Sequence, residues 1–231
     1  MLQLTIDAES PQAAKQPAIS LLNELLPLLS FTFGHHMSAE FIQATDESGM
    51  GIPFLTETMV SFFAYDLDEV RAAAAALPQN LAALRAEDRI QKALKYFAKG
   101  LAVEEAISRG GVKFASPIRP LGGSFLLTPE AYLNYWKVLE TILGASTESR
   151  AFDRRVNELG LDRDLRDSLP ELYRLRDAAD VAHAERVHDA VGLAEVTRVK
   201  AAAVHALHAV MTVANRGPEE ALDRDQAPRI G

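Results

Sequence analysis

Between Leu81 and Leu101, apolar residues return at helical spacing: Leu81, Leu84, Ile90, Ala93, Leu94, Phe97 and Leu101. A stripe with a period near 3.6 buries one face of a helix and leaves the other to solvent. It predicts one long helix reaching about Ser108, stopped by Gly110-Gly111. Such a face needs partner helices, and the downstream sequence supplies them. Thr128 as N-cap and Pro129 at the first helical position predict a second helix, stopped by Gly144. A charged helix follows from Ser149 to Leu159, ending at Gly160. Ser168-Leu169-Pro170-Glu171 has the capping-box spacing and predicts the start of a helix reaching about Asp189. After Gly192, an alanine-rich helix extends to about Val213.

The first 80 residues read differently. A leucine-rich run from Gln16 to Ser30 predicts a short helix ending near Pro27. Phe41 to Thr45, a turn at Asp46-Glu47-Ser48-Gly49, and Gly51 to Thr56 predict a hairpin. Asp66 to Ala76 predicts a further helix, interrupted at Pro78-Gln79-Asn80. The expected fold class is mainly α: a helical bundle over residues 81–215 with a small mixed α/β part at 1–80 and a flexible tail at 216–231.

At 48% hydrophobic over 231 residues, the chain has the apolar content for a sizeable core. No stretch reaches the ~18 uncharged apolar residues of a membrane span. The first residues, Met1 to Asp7, lack the basic and apolar regions of a signal peptide. A cytoplasmic location and no membrane partner are expected, and the abundance of Ala, Leu and Arg suggests a high-GC bacterium. With no cysteine, the chain has no disulfide, thiolate metal site or thiol nucleophile. Its formal charge of −8 argues against broad coating of nucleic acid or anionic lipid. Any phosphate chemistry therefore needs a local basic site.

The most unusual set lies between Leu172 and His183. Arg176 and His183 are seven residues apart and project within about 20° of one another on a helix, with Asp180 between them on the same face. Small neighbours, Ala178, Ala179 and Ala182, allow another helix to approach closely. One reading places this face at a helix or subunit interface. The other makes Arg176 and Asp180 a surface ion pair worth a few tenths of a kcal/mol and His183 an interfacial histidine without chemistry.

On these residues the helical half resembles a HEPN domain, a helical-bundle superfamily marked by an arginine, a polar residue after it, and a histidine. Arg176, Asp177 and His183 match that motif as R-x6-H. Arg89 to Leu101 is similar to the early core helix of ApeA-like members, and Phe125 to Glu140 to their "aromatic, then Leu-Glu" helix. The resemblance covers about residues 85–212. It departs from the commonest pattern in having Asp177 rather than Asn, six intervening residues rather than four, and Ala184 after the histidine.

The resemblance implies a metal-independent endoribonuclease that needs no cofactor, with two motifs meeting at a homodimer interface. His183 would help move the 2′-OH proton, and Arg176 would stabilise charge on the phosphate. Asp177 or Asp180 would orient these groups, and Arg174 would add a phosphate contact. RNA or a nucleotide, and an antitoxin or other protein, are the partners it implies, in defence or toxin–antitoxin settings. The alternative is a catalytically inactive module that binds RNA, a nucleotide or a protein.

Other constellations carry less. Glu185-Arg186-Val187-His188 has the spacing of a carboxylate-bridged metal bundle, but no second copy is present. His205 and His208 lie three apart on an alanine-rich helix, where packing is the commoner use and a shared metal the rarer one. His35-His36 falls in a predicted loop without ligand partners in view. No P-loop, nucleophile elbow or H-E-x-x-H occurs. Tyr132, Tyr135 and Trp136 read as core aromatics rather than base-stacking ones, and Glu140 is placed to hold a buried arginine such as Arg176.

Overall fold

Among the described residues, caps open and close helices while prolines lie within them. The computed structural model describes residues 7–37, 41–45, 51–55, 67–108, 124–144, 150–178 and 191–215. Helix α1 spans Pro11–Phe33. Ser10 opens it by accepting a hydrogen bond from the Ala13 N–H, and Gly34 closes it in the left-handed region at φ 68°. The expected stop at Pro27 is overruled: Pro17 and Pro27 both lie inside α1. An interior proline costs a helix ~3 kcal/mol or more. Here, burial of Leu28 and Phe31 immediately after Pro27 offsets it. Strands β1 (Phe41–Thr45) and β2 (Gly51–Leu55) pair antiparallel, with Phe41 opposite Leu55 and Thr45 opposite Gly51.

Helix α2 runs unbroken from Leu67 to Ala86 with Pro78 inside it, so the interruption expected at Pro78-Gln79-Asn80 does not occur. The helical stripe that looked like one element is divided between α2 and α3 (Asp88–Ser108), with only Glu87 between them. The apolar period survives this break because the two helices share one core, in which Ala83, Leu84, Ile90, Leu94 and Phe97 are all buried. Asn80, the expected boundary between N-terminal part and bundle, lies within α2. Leu28 and Phe31 of α1 belong to the same core as α3, and the Phe31 and Phe97 rings meet edge to face at 5.3 Å.

Helix α4 (Ser124–Leu143) begins a turn earlier than Thr128, leaving Pro129 inside it and Thr128 buried. Helix α5 spans Arg150–Glu158 and α6 spans Arg163–Ala178. The start expected for α6 at Ser168 is displaced to Asp162, whose carboxylate accepts from the Leu165 N–H at 2.7 Å. Ser168 instead sits mid-helix and donates to the Leu165 carbonyl. Glu171 turns outward to Arg198, so the expected capping box is not formed. Helix α7 (Leu193–Asn215) follows Gly192 as expected, and Glu195 accepts from the Gly192 N–H at 2.9 Å.

The fold is mainly α. The α3–α4 pairing is the most extensive and α4–α7 the next, so α4 is the central helix of the bundle. Its Tyr132, Tyr135 and Val138 are fully buried, with Trp136 and Leu139 nearly so. The aromatic trio is core, as its spacing predicts. No helix among the described residues is long and apolar enough to cross a membrane.

Candidate functional site: the Glu140–Arg176 seam

The seam between α4 and α6 gathers two aromatic rings, one carboxylate and one guanidinium. Trp136 and Glu140 stand one turn apart on α4, and the indole Nε1–H donates to Glu140 Oε1 at 2.8 Å. From α6, Arg176 Nη2 approaches the same oxygen at 3.2 Å. The guanidinium also lies 5.7 Å from the centroid of Tyr173, one turn earlier on α6. Tyr173 meets Trp136 edge to face, again at 5.7 Å between centroids. Glu140 pairs with Arg176 as expected from sequence, but the arginine is partly exposed rather than buried.

The seam is held from within the core. The Tyr132 hydroxyl donates to the Leu172 carbonyl at 2.6 Å. In an α-helix that carbonyl also receives the N–H of residue 176, so the buried phenol grips α6 one turn before the arginine. Burial drives the Tyr132 pKa well above its ordinary value, with Glu171 and Glu195 adding to the rise against Arg198. The phenol therefore stays a donor throughout the physiological range.

Arg176 remains a third exposed (33%) and Glu140 less so (22%). That combination gives a partly exposed cation paired with a carboxylate. Such a group is suited to receive phosphate oxygens or another carboxylate.

The remaining predicted site residues are distributed unevenly. Arg174 is exposed on α6, and its charge contributes to holding Glu171 below the usual carboxylate range, after the larger effect of Arg198. Asp177 lies in α6 by its backbone, one residue beyond Arg176. Asp180 and His183 lie outside the described residues, as does the Glu185-to-His188 stretch.

Several polar contacts were not anticipated from sequence. Tyr173 was passed over although it sits three residues before Arg176, a same-face spacing. Arg198 on α7 makes a two-toothed pair with Glu171 on α6, at 2.7 and 3.1 Å. His205 Nδ1 faces Asp162 at 3.4 Å beside a cavity of about 350 Å³ between α6 and α7. These partners come from different helices, so no local period announces them. His205 is exposed, and His208, though exposed overall, has its ring partly covered. His208 packs its ring on Phe31 at 4.9 Å. Among the described residues, no three His, Asp or Glu side chains are grouped to hold a metal ion.

Comparison with protein-family models, with curated proteins and with solved structures returned no match to this chain.

Proposed function

We propose that this chain is a HEPN-like protein that acts on RNA through Arg176 and His183, pairing two copies so that both motifs share one cleft. The observation that supports the reading is the setting of Arg176: paired with Glu140, flanked by Tyr173, and partly exposed. The segments that carry the sequence resemblance also meet in the fold. Arg89 to Leu101 lies in α3, which packs on α4, and Glu140 of α4 holds Arg176 of α6.

In the proposed reaction His183 accepts the ribose 2′-OH proton as the 2′ oxygen attacks the adjacent phosphorus. The bond from phosphorus to the 5′ oxygen breaks, and that oxygen takes a proton from His183 of the second copy. The products are a 2′,3′-cyclic phosphate and a free 5′-OH. Arg176 offsets charge on the phosphoryl oxygens during the step, and Asp177 or Asp180 orients the imidazole. Because the nucleophile is the 2′-OH, DNA is not a substrate.

A second reading is favoured by the Glu140 contact itself. A guanidinium already paired with a carboxylate presents less net charge, which suits weak, selective binding of RNA, a nucleotide or a protein without cleavage.

The test is RNA digestion in the presence of EDTA, with the matching DNA as control. Wild type is expected to cut RNA only, and His183→Ala to lose ~100-fold or more of the rate. Cleavage that survives His183→Ala removes that residue from the mechanism. Wild type that binds RNA without cutting supports the second reading. Wild type that neither binds nor cuts RNA overturns the RNA reading.

A further inference from the structure

On an acidic chain, the outer face of α3 and the adjoining edge of α4 carry a strip of cations. Lys92, Lys95 and Lys99 project within about 60° of one another on α3, and all three are exposed. Exposed Lys137 extends the strip onto α4. Its ammonium lies 5.4 Å from the centroid of the Tyr96 ring, and that of Lys99 lies 6.0 Å from the same point. Two helices thus hold their ammoniums around one half-buried ring.

None of the four lysines has an ion pair or a hydrogen bond among the described residues. Elsewhere, Arg71, Arg155, Arg163, Arg166, Arg198 and Lys200 each face a carboxylate within 3.7 Å. The strip does not lack partners for want of acids, since 32 Asp and Glu stand against 24 Lys and Arg. Like charges one turn apart, as at Lys95 and Lys99, weaken a helix. The Tyr96 ring offsets part of that repulsion. An anion from outside the chain would relieve the rest, and its attraction acts across water without burying the lysines.

The size of the strip selects the anion. Lys92 to Lys99 covers about 10 Å of helix axis. Acids frame it: Asp88 stands one turn before Lys92, and Glu105 follows Lys99 by less than two turns. On α4, Lys137 lies between Glu130 and Glu140. Taking these four positive charges from a net of −8 leaves −12 on the rest of the chain. Screening confines each charge to about 8 Å at physiological salt, so the strip and its acidic frame act separately. A long polyanion running past the strip meets repulsion, whereas a short one ends inside it. We infer that the face formed by Lys92, Lys95, Lys99 and Lys137 docks a short acidic segment of another protein, with a few Asp or Glu side chains close together. The inference uses no residue of the Arg176 reading and holds whether or not the chain cleaves RNA.

The experiment is calorimetric titration of the full chain with a hexaglutamate peptide at ~20 mM salt. A Kd of ~0.1–1 mM is expected, weakening ~5-fold or more at ~150 mM salt. Lys95→Gln with Lys99→Gln removes two charges at exposed positions and keeps good helix formers there. It is expected to weaken binding ~10-fold, and Lys92→Gln with Lys137→Gln to do the same across the two helices. Arg150→Gln with Arg154→Gln lowers the net charge equally at exposed positions of α5 and is expected to weaken binding less than ~2-fold. Circular dichroism spectra of all three variants are expected to match wild type. Absence of saturable binding at ~5 mM peptide overturns the proposal. So does binding that both lysine variants leave intact, or that the α5 variant weakens equally. An oligouridine of equal charge and phosphatidylserine vesicles are titrated beside the peptide. Tighter binding of either through the same lysines overturns the assignment to a protein segment.

Discussion

Neighbouring residues on α4 anchor two triads of the same composition that do different work. Tyr135 donates to Glu104 at 2.5 Å, and Lys200 reaches the same carboxylate oxygen at 2.6 Å. Trp136 donates to Glu140, and Arg176 reaches that carboxylate. Each set joins an aromatic donor, a carboxylate and a cation, and in each the cation also lies beside an aromatic ring. The first set draws its members from three helices, α4, α3 and α7. In the second, donor and carboxylate share α4, so only the Arg176 contact crosses to another helix. The lesson is that triad chemistry alone does not set its role. A triad spanning three helices holds the bundle together, whereas one with a single crossing sets where one side chain sits.

The sharpest way to break this contrast is at Tyr135, which is fully buried. Tyr135→Ala is expected to cost ~3–5 kcal/mol of folding stability, read from the urea midpoint. A similar loss from Arg176→Ala would erase the distinction between the seams. Gly100 offers a second test, because a Cβ there would come within 2.6 Å of the Tyr135 ring. Gly100→Ala is expected to destabilise by ~1–3 kcal/mol through overpacking, despite alanine's better helix propensity. A stabilised variant would mean that the ring has room to move.

Double-mutant cycles sharpen the comparison at smaller scale. Tyr135→Phe combined with Lys200→Met is expected to give a coupling of ~1 kcal/mol, since both act on Glu104. For Glu140→Gln with Arg176→Gln, partial exposure screens the pair, and ~0.5 kcal/mol is expected. Equal couplings would refute the contrast.

The smallest expected effect is a pH slope from His208. Its folded-state pKa is depressed by burial first and His205 second. The unfolded state then binds the proton more readily. Stability from this group is therefore fully present above about pH 6.5 and falls as pH drops toward the depressed value. Urea midpoints between about pH 8 and 5 should show this slope in wild type and a shallower one in His208→Phe.

Much of the bundle was legible because its signals are local. The apolar period of α3, the Gly192 start of α7 and the Gly160 stop of α5 each rest on residues within one or two turns. The Glu140–Arg176 pair was anticipated as a pairing with a buried arginine, but no local period announces a contact between helices, and only the assembled fold shows that the arginine is partly exposed. Three of the errors share one cause. Pro27, Pro78 and Pro129 were taken as boundaries or first positions, yet each lies inside a helix. Losing one backbone hydrogen bond is a local penalty, while burial of Leu28, Ala83 or Tyr132 nearby is a gain that only the assembled bundle supplies.

The chain's own order of residues was enough to dictate helical class, the absence of thiol chemistry and which faces of α3 and α4 turn inward. Those properties depend on residue type and on a repeat of a few residues. The assembled fold alone decided that α2 continues through its proline, that Asp162 rather than Ser168 caps α6, and that Glu171 meets Arg198. It also decided that Lys137 of α4 joins Lys99 of α3 at the Tyr96 ring. Each of these depends on groups far apart in sequence becoming neighbours, and the free energy of such contacts exists only once the helices have packed.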